Sequence, residues 1–194
     1  DDTRFDLAVS GMTGSGTVII LLGPSVLTDL AGNGNNASTS ADNIVTFDVT
    51  YPVVLFGANT VPANGANLTA GPVQIKVEFS KDIKNDGSAG AANTIVNYLL
   101  VEDGANNAFE TASCAPPGLV ATDTQIAINT ASYTNTGGSG PFVATLNING
   151  GAALPDGSYR LFVCGTTSIE DLIGNKLNDG LTDTTIDFTV QRER

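Results

Sequence analysis

Apolar and polar residues alternate along residues 73–79, which read Val-Gln-Ile-Lys-Val-Glu-Phe. Successive side chains of a β-strand point to opposite faces of its sheet, so this period of two predicts a strand with one face on a core. The same period recurs over residues 126–128, 142–148, 159–163 and 186–190. Clusters of Gly, Asn, Pro and Asp separate these runs, and such residues favour turns. The pattern predicts an all-β fold, a two-sheet antiparallel sandwich with Greek-key connections.

The apolar positions of these runs form the predicted core. We expect nearly complete burial of Val73, Ile75, Val77, Phe79, Ile126, Ile128, Leu146, Leu161, Val163, Ile186 and Phe188. Tyr159 is predicted to be a core or corner tyrosine, with a buried ring and a hydroxyl bonded to nearby backbone. No apolar run reaches the length that a membrane helix requires, so the sequence predicts no membrane insertion.

An internal repeat divides the chain. Asp29-Leu30-Ala31-Gly32-Asn33 returns as Asp171-Leu172-Ile173-Gly174-Asn175, and each copy precedes a strand-like run, 45–49 and 186–190. Upstream, residues 17–22 take the place of residues 158–163. We therefore interpret residues 1–50 as the C-terminal part of a first repeat and residues 52–190 as a complete one. Tyr51-Pro52 is the predicted boundary, because the residue before proline favours extended geometry.

Four motifs occur in order along the complete repeat, at residues 62–66, 79–83, 154–159 and 171–177. Together they resemble the bacterial Ig-like repeats of surface-layer proteins and large secreted adhesins. The resemblance implies an Ig-like β-sandwich, preceded here by a partial β-domain. The paired cysteines and the Gly-rich insert before Phe142 depart from the common pattern.

Residues 11–18 and 38–43 similarly resemble the closing part of such a repeat. The family resemblance implies a structural or adhesive role without enzymatic activity, outside the cell or at its surface. Neighbouring copies or repeats of the same protein are the implied partners.

The two cysteines, Cys114 and Cys164, are an even count in an acidic chain whose composition suits secretion. We predict that they form a disulfide, which would stabilise the fold by about 4 kcal/mol in the chain-entropy model. Two buried free thiols are the alternative.

Composition excludes several functions. The formal net charge of −12 opposes binding to nucleic acid. The chain has no His and no Trp, which disfavours most hydrolases and lectins. Four carboxylates, Glu102, Asp103, Glu110 and Asp123, could pair for glycoside hydrolysis, but few aromatic residues are present to line a sugar cleft. The sequence predicts a protein that is not an enzyme and needs no cofactor.

A calcium site is one interpretation of the second Asp-x-x-Gly-Asn segment. Asp171, Asn175, Asn178, Asp179 and Asp183 supply hard oxygen atoms within one stretch of chain. Their spacing does not match an EF-hand. The alternative is a structural turn in which Asp accepts backbone hydrogen bonds and Gly takes a positive φ.

An unbroken apolar run begins at Val18 and continues through Ile19, Ile20, Leu21 and Leu22. Such a run predicts a strand that is buried on both faces, yet residues 1–50 contain only three predicted strands, 7–9, 18–22 and 45–49. We hypothesise that strands of a neighbouring copy complete this sheet, in a head-to-tail contact that builds a fibre. The alternative is completion by strands of a longer parent chain.

Binding is the competing function. Loops at residues 85–93 and 134–141 could present a carbohydrate or a protein ligand at the end of the sandwich.

Overall fold

The computed structural model describes residues 8–167 and 169–192. Contacts divide the chain into two compact units, Asp1–Thr50 and Tyr51–Arg194. The strands are β1 Gly16–Ile19, β2 Ile44–Phe47, β3 Val54–Leu55, β4 Ala66–Leu68, β5 Gln74–Phe79, β6 Tyr98–Glu102, β7 Thr124–Ile126, β8 Ile128–Thr134, β9 Phe142–Ile148, β10 Gly157–Val163 and β11 Thr184–Val190. The helical elements are single 3-10 turns at Ile95–Asn97, Gly104–Asn106, Thr136–Gly138, Asn149–Gly151 and Leu177–Gly180. Within the described ranges, no helix is long and apolar enough to cross a membrane.

The second unit is a two-sheet sandwich. One sheet has the strand order β3-β5-β9-β8, and the other has the order β4-β11-β10-β6-β7. The chain changes sheet at β3–β4, β4–β5, β5–β6, β7–β8 and β9–β10. These orders correspond to strands A-B-E-D opposite G-F-C of the immunoglobulin fold, with β4 as a second half of strand A. The predicted all-β, Ig-like sandwich with Greek-key connections is confirmed.

Most neighbouring strands are antiparallel. The exception is β4, which runs parallel to β11 and pairs with it from Phe188↔Ala66 to Val190↔Leu68. Just before β4, Val61 bridges to Lys76 of β5 in the opposite sheet. The first strand region of this unit therefore contributes to both sheets.

The core lies between the two sheets. Its fully buried side chains include Ile75, Val77, Phe79, Leu146, Leu161, Val163, Ile186 and Phe188, as the alternation predicts. The prediction is wrong for Val73, which is 44% exposed because β5 begins one residue later. It is only half right for Ile126 and Ile128, which are half-buried because β7 and β8 are edge strands.

Tyr159 confirms the corner-tyrosine prediction. Its ring is fully buried and stacks on Phe188 with ring centroids 5.4 Å apart. Its hydroxyl donates to the carbonyl oxygen of Pro155, 3.0 Å away. Burial is the main reason that the pKa of this hydroxyl rises to about 12. The contact closes the corner where the chain enters β10.

Cys114 and Cys164 form a disulfide, with their Cα atoms 5.7 Å apart. Cys164 follows the last residue of β10 and is buried. Cys114 lies in the long connection between β6 and β7. The bond therefore fastens this connection to the end of a central strand.

The first unit is much smaller. Its β1 and β2 form a two-stranded antiparallel ladder, extended by a hydrogen bond from the N–H of Ile20 to the carbonyl of Asn43. The predicted strand over residues 18–22 is thus wrong at its end, because Leu21 and Leu22 lie outside the ladder. The predicted strand over residues 7–9 is also wrong where the structure describes it, since Val9 is in no strand. Residue 7 lies outside the described residues.

Candidate functional site

The turn at Asp29 is held by its own carboxylate. One carboxylate oxygen accepts hydrogen bonds from the backbone N–H groups of Ala31 and Asn33, at 2.9 and 2.8 Å. The other accepts from the side-chain amide of Asn33 at 2.9 Å. Gly32 has a φ of +86°, which disfavours any side chain there. The side-chain hydrogen bond from Asn33 is the main reason that the pKa of Asp29 lies below its ordinary value.

The turn at Asp171 has the same bonds. The N–H groups of Ile173 and Asn175 donate to one carboxylate oxygen at 3.1 and 2.8 Å. The side-chain amide of Asn175 donates to the other at 3.0 Å. Gly174 again has a positive φ, +97°. The repeat seen in the sequence is therefore a repeat of one hydrogen-bonded structure.

The two turns differ in their surroundings. Lys81 donates to the Asp171 carboxylate at 2.7 Å, and Ile83 forms a β-bridge to Asp171. Next to it, Lys84 donates to Glu170 at 2.5 Å. Burial opposes ionisation of Asp171, but the hydrogen bonds from Lys81 and its own turn outweigh it, so its pKa lies below the ordinary value. The turn at Asp29 has no lysine among its hydrogen-bond partners within the described residues.

The strands that flank the turns also correspond. In the ladder of the first unit, Gly16 pairs with Phe47 and Val18 with Val45. In the second unit, Tyr159 pairs with Phe188 and Leu161 with Ile186. If the two phenylalanines are equivalent, Val18 takes the place of Leu161. The alignment of residues 17–22 with residues 158–163 is therefore wrong by two positions, a shift that keeps every side chain on its original face.

The β1–β2 and β10–β11 strand pairs differ in the strands that flank them and in the sheet packed against them. On either side of the β10–β11 pair lie β6 and β4, and the opposite sheet covers its core face. Leu161 and Ile186 are fully buried. Within residues 8–50, β1 and β2 have only each other. Ile19 is 56% exposed and Leu21 is 79% exposed. Of the predicted assembly residues, Val18 and Ile19 lie in the ladder and Ile20 extends it by one hydrogen bond, whereas Leu21 and Leu22 lie beyond its end. Within residues 8–50, neither edge of the ladder has a further strand.

The five residues predicted as calcium ligands do not share one set of partners. Asp171 and its turn bond to each other and to Lys81, as described above. Asn178 donates its side-chain amide to Thr182 and Thr184. Among residues 8–167 and 169–192, no three His, Cys, Asp or Glu side chains are arranged to hold a metal ion. A structural calcium stays a prediction, which a chelator tests.

Asp183 joins the two chain segments beside the disulfide. One of its carboxylate oxygens accepts from the hydroxyl of Ser113 at 2.6 Å and the N–H of Cys114 at 2.7 Å. The other accepts from the N–H and hydroxyl of Thr166, at 2.9 and 2.7 Å. Burial opposes ionisation, but these four donors outweigh it and hold the pKa of Asp183 below its ordinary value. Sequence reasoning missed this role, because nothing in the sequence places residue 183 beside residues 113 and 166.

Two of the four carboxylates that could pair for glycoside hydrolysis, Glu110 and Asp123, have structural partners. Asp123 is buried and accepts the N–H groups of Glu110 and Thr111. Glu110 in turn accepts from the side chains of Asn106 and Thr122. These bonds order the connection between β6 and β7. Both carboxylates therefore accept hydrogen bonds within that connection.

The loop at residues 85–93 is ordered by its own side chains. Asn93 accepts from the N–H of Gly87, and Asp86 accepts from the N–H of Ser88. The second predicted binding loop, residues 134–141, connects β8 to β9 as a hairpin with a 3-10 turn at Thr136–Gly138.

A shallow groove lies elsewhere on the second unit. Its volume is about 600 Å³. It is lined by Tyr51, Val53, Phe56, Asn64, Asn178, Leu181, Thr182, Asp183, Thr184 and Thr185. Tyr51 and Phe56 are 48% and 57% exposed, an unusual amount for aromatic rings. Sequence reasoning missed the groove because its aromatic residues belong to no alternating run.

No protein-family model matches this sequence, and neither does any curated protein. Among solved structures, PcoC, a methionine-rich copper resistance protein from Escherichia coli, is 16% identical over 73% of this chain and 100% of its own, with a TM-score of 0.41. The N-terminal part of the bacterial S-layer protein SbsC is 14% identical over 73% of this chain and 24% of its own, with a TM-score of 0.40. Likenesses this distant say nothing about function.

Proposed function

We propose that this chain is a non-catalytic structural module of an extracellular or cell-surface repeat protein. The second unit is its complete Ig-like repeat, and the first unit is the closing part of another. The open β1–β2 ladder is the place where a neighbouring module attaches, by adding strands to the ladder. Repeated head to tail, this attachment forms a fibre or a surface coat.

One observation carries the proposal. The Asp29 and Asp171 turns have the same hydrogen bonds, and the strands beside them have equivalent pairing. The second hairpin is a closed part of a sandwich, whereas the first has exposed apolar residues and unpaired edges within residues 8–50. A two-stranded ladder is marginally stable in water, so added strands would stabilise it.

The disulfide supports a location outside the cytosol. A disulfide persists in oxidising environments outside the cytosol, and this chain has one between Cys114 and Cys164. The net charge of −12 supports solubility and opposes binding to nucleic acid and anionic lipid. Two of the four carboxylates that could pair for glycoside hydrolysis, Glu110 and Asp123, accept hydrogen bonds within one loop, which supports a structural role for these two.

Light scattering coupled to size-exclusion chromatography tests the proposal. The 194-residue chain is expected to form concentration-dependent polymers, and a variant lacking residues 1–50 is expected to stay monomeric. The shortened variant retains the whole core of the second unit, so its loss of polymers would not reflect unfolding. A full-length chain that stays monomeric at all concentrations would contradict assembly between chains and favour completion by strands of a longer parent chain.

A carbohydrate-binding module is the second candidate, and the groove beside Tyr51 and Phe56 favours it. Aromatic rings stack on sugars, and Asn64, which is held by the N–H of Asp187, offers an amide at the rim. A glycan array tests this function with Tyr51→Ala as the control. A sugar signal that the variant loses would favour binding, and the absence of any signal would count against it.

A further inference from the structure

The β8 strand is an edge that the fold leaves open. It occupies the end of the β3-β5-β9-β8 sheet, and among the described strands it pairs with β9 alone. Its seven residues, Ile128–Thr134, include no charged residue and no proline. Natural edge strands are protected from pairing by charges, by proline, by shortness or by β-bulges. β8 has no charge and no proline, and beyond the irregularity between Ile128 and Thr130 it pairs regularly from Thr130 to Thr134.

The other edges of this sandwich are short. β3 has two residues, and β4 and β7 have three each. A strand of two or three residues offers few backbone groups to an incoming chain. Among the strands that the structure describes in the second unit, β8 is therefore the edge best suited to strand addition.

The core is also incomplete along β8. The inward-facing side chains Ala131 and Tyr133 are half-buried. On the neighbouring strand, Ala144 and Leu146 are fully buried. A further strand beside β8 would cover the half-buried pair in the way that β8 covers β9. That strand would have to supply apolar side chains on one face.

We propose that β1 of a second copy of this chain adds to the sheet beside β8. The inference rests on the proposed function and names its contact surface. Within residues 8–50, one edge of β1 has no partner strand, and the apolar run that starts at Val18 has exposed side chains, including Ile19 and Ile20. Alternate residues of that run would meet Ala131 and Tyr133 on the core side. Main-chain hydrogen bonds along β8 hold the added strand, as in β-augmentation.

This contact can repeat from one copy to the next. The donor strand is in the first unit, and the acceptor edge is in the second unit, so the two surfaces differ. Contacts between different surfaces are heterologous and generate filaments unless the rotation closes a ring. Each copy can therefore donate one strand and accept another.

Paired lysine variants test the edge. Ser132→Lys with Thr134→Lys places two charges on exposed positions of β8. Thr124→Lys with Gln125→Lys is the matched control, because it adds the same charge to exposed positions of the β7 edge. We expect the β8 variant to raise the concentration at half-assembly at least tenfold, about 1.4 kcal/mol, and the β7 variant to leave it nearly unchanged.

Hydrogen exchange supplies a second readout on the unmodified chain. Amides of residues 128–134 are expected to exchange several-fold more slowly above the assembly concentration than below it. Polymers that form equally well with both lysine variants, without protection of β8, would overturn this assignment while leaving the proposed assembly intact. A wild-type chain that never polymerises would overturn both.

Discussion

Replacing Phe188 and Phe47 by alanine tests whether the β1–β2 ladder of the first unit contributes to the core of the second. Phe188 is 2% exposed and stacks on Tyr159. Truncating a buried phenylalanine costs about 3–5 kcal/mol, which is a large part of the 5–15 kcal/mol that is typical of a whole domain. Phe47 has the equivalent place in the β1–β2 ladder but is only half-buried. Phe47→Ala should therefore lower the free energy of unfolding of the second unit by less than about 0.5 kcal/mol.

Urea denaturation at low protein concentration separates these outcomes. All four tyrosines lie in the second unit, so tyrosine fluorescence follows the unfolding of that unit. With an m-value of about 2 kcal/mol/M, Phe188→Ala should lower the midpoint by roughly 2 M. Phe47→Ala should leave it in place. Equal shifts in the two variants would refute the reasoning, because they would mean that Phe47 contributes to the core whose unfolding the tyrosines report.

Three further outcomes are expected. Asp171→Asn and Asp183→Asn should each destabilise the chain by about 1–3 kcal/mol at pH 7. Folding lowers the pKa values of both carboxylates, so the stability that they contribute is present above about pH 4 and is lost as the pH falls further. In urea titrations at acid pH, the free energy of unfolding of the variants should therefore decline less steeply than that of the wild type. Reduction of the Cys114–Cys164 bond should lower the free energy of unfolding by up to about 4 kcal/mol, measured by urea titration with and without reductant. A chelator should leave the melting temperature unchanged, since protein donors already occupy both carboxylates, and a fall of several degrees would indicate a structural calcium.

Sequence periodicity predicts the centre of the sandwich well and its margins poorly. Residues 75, 77 and 79 lie in a strand that has a neighbour on each side, and they face the opposite sheet. They are buried, as the alternation predicts. Ile128 has the same pattern but lies in an edge strand, where one flank stays open. Alternation reports the face on which a side chain lies, and it does not report whether a further strand follows.

The run from Val18 to Leu22 shows a second limit. A run without polar residues has no period, so neither the end of the strand nor its register could be inferred from it. The hydrogen bonds of the Asp29 turn, in contrast, follow from local residue types at fixed spacing, and this is why the repeat was visible in the sequence. Asp183 depends on contacts between distant segments, for which the sequence has no local signal.

The parallel pairing of β4 with β11 gives the second unit a direction of mechanical strength. Tension that reaches β4 from its N-terminal side and β11 from its C-terminal side pulls the two strands in opposite directions along their length. The hydrogen bonds between Ala66–Leu68 and Phe188–Val190 are then sheared together, and they cannot open one after another as in a peeled hairpin. Under force the relevant quantity is the rate of unfolding rather than its equilibrium. A chain of such units would therefore resist stretching along its axis more than its modest β4–β11 ladder suggests.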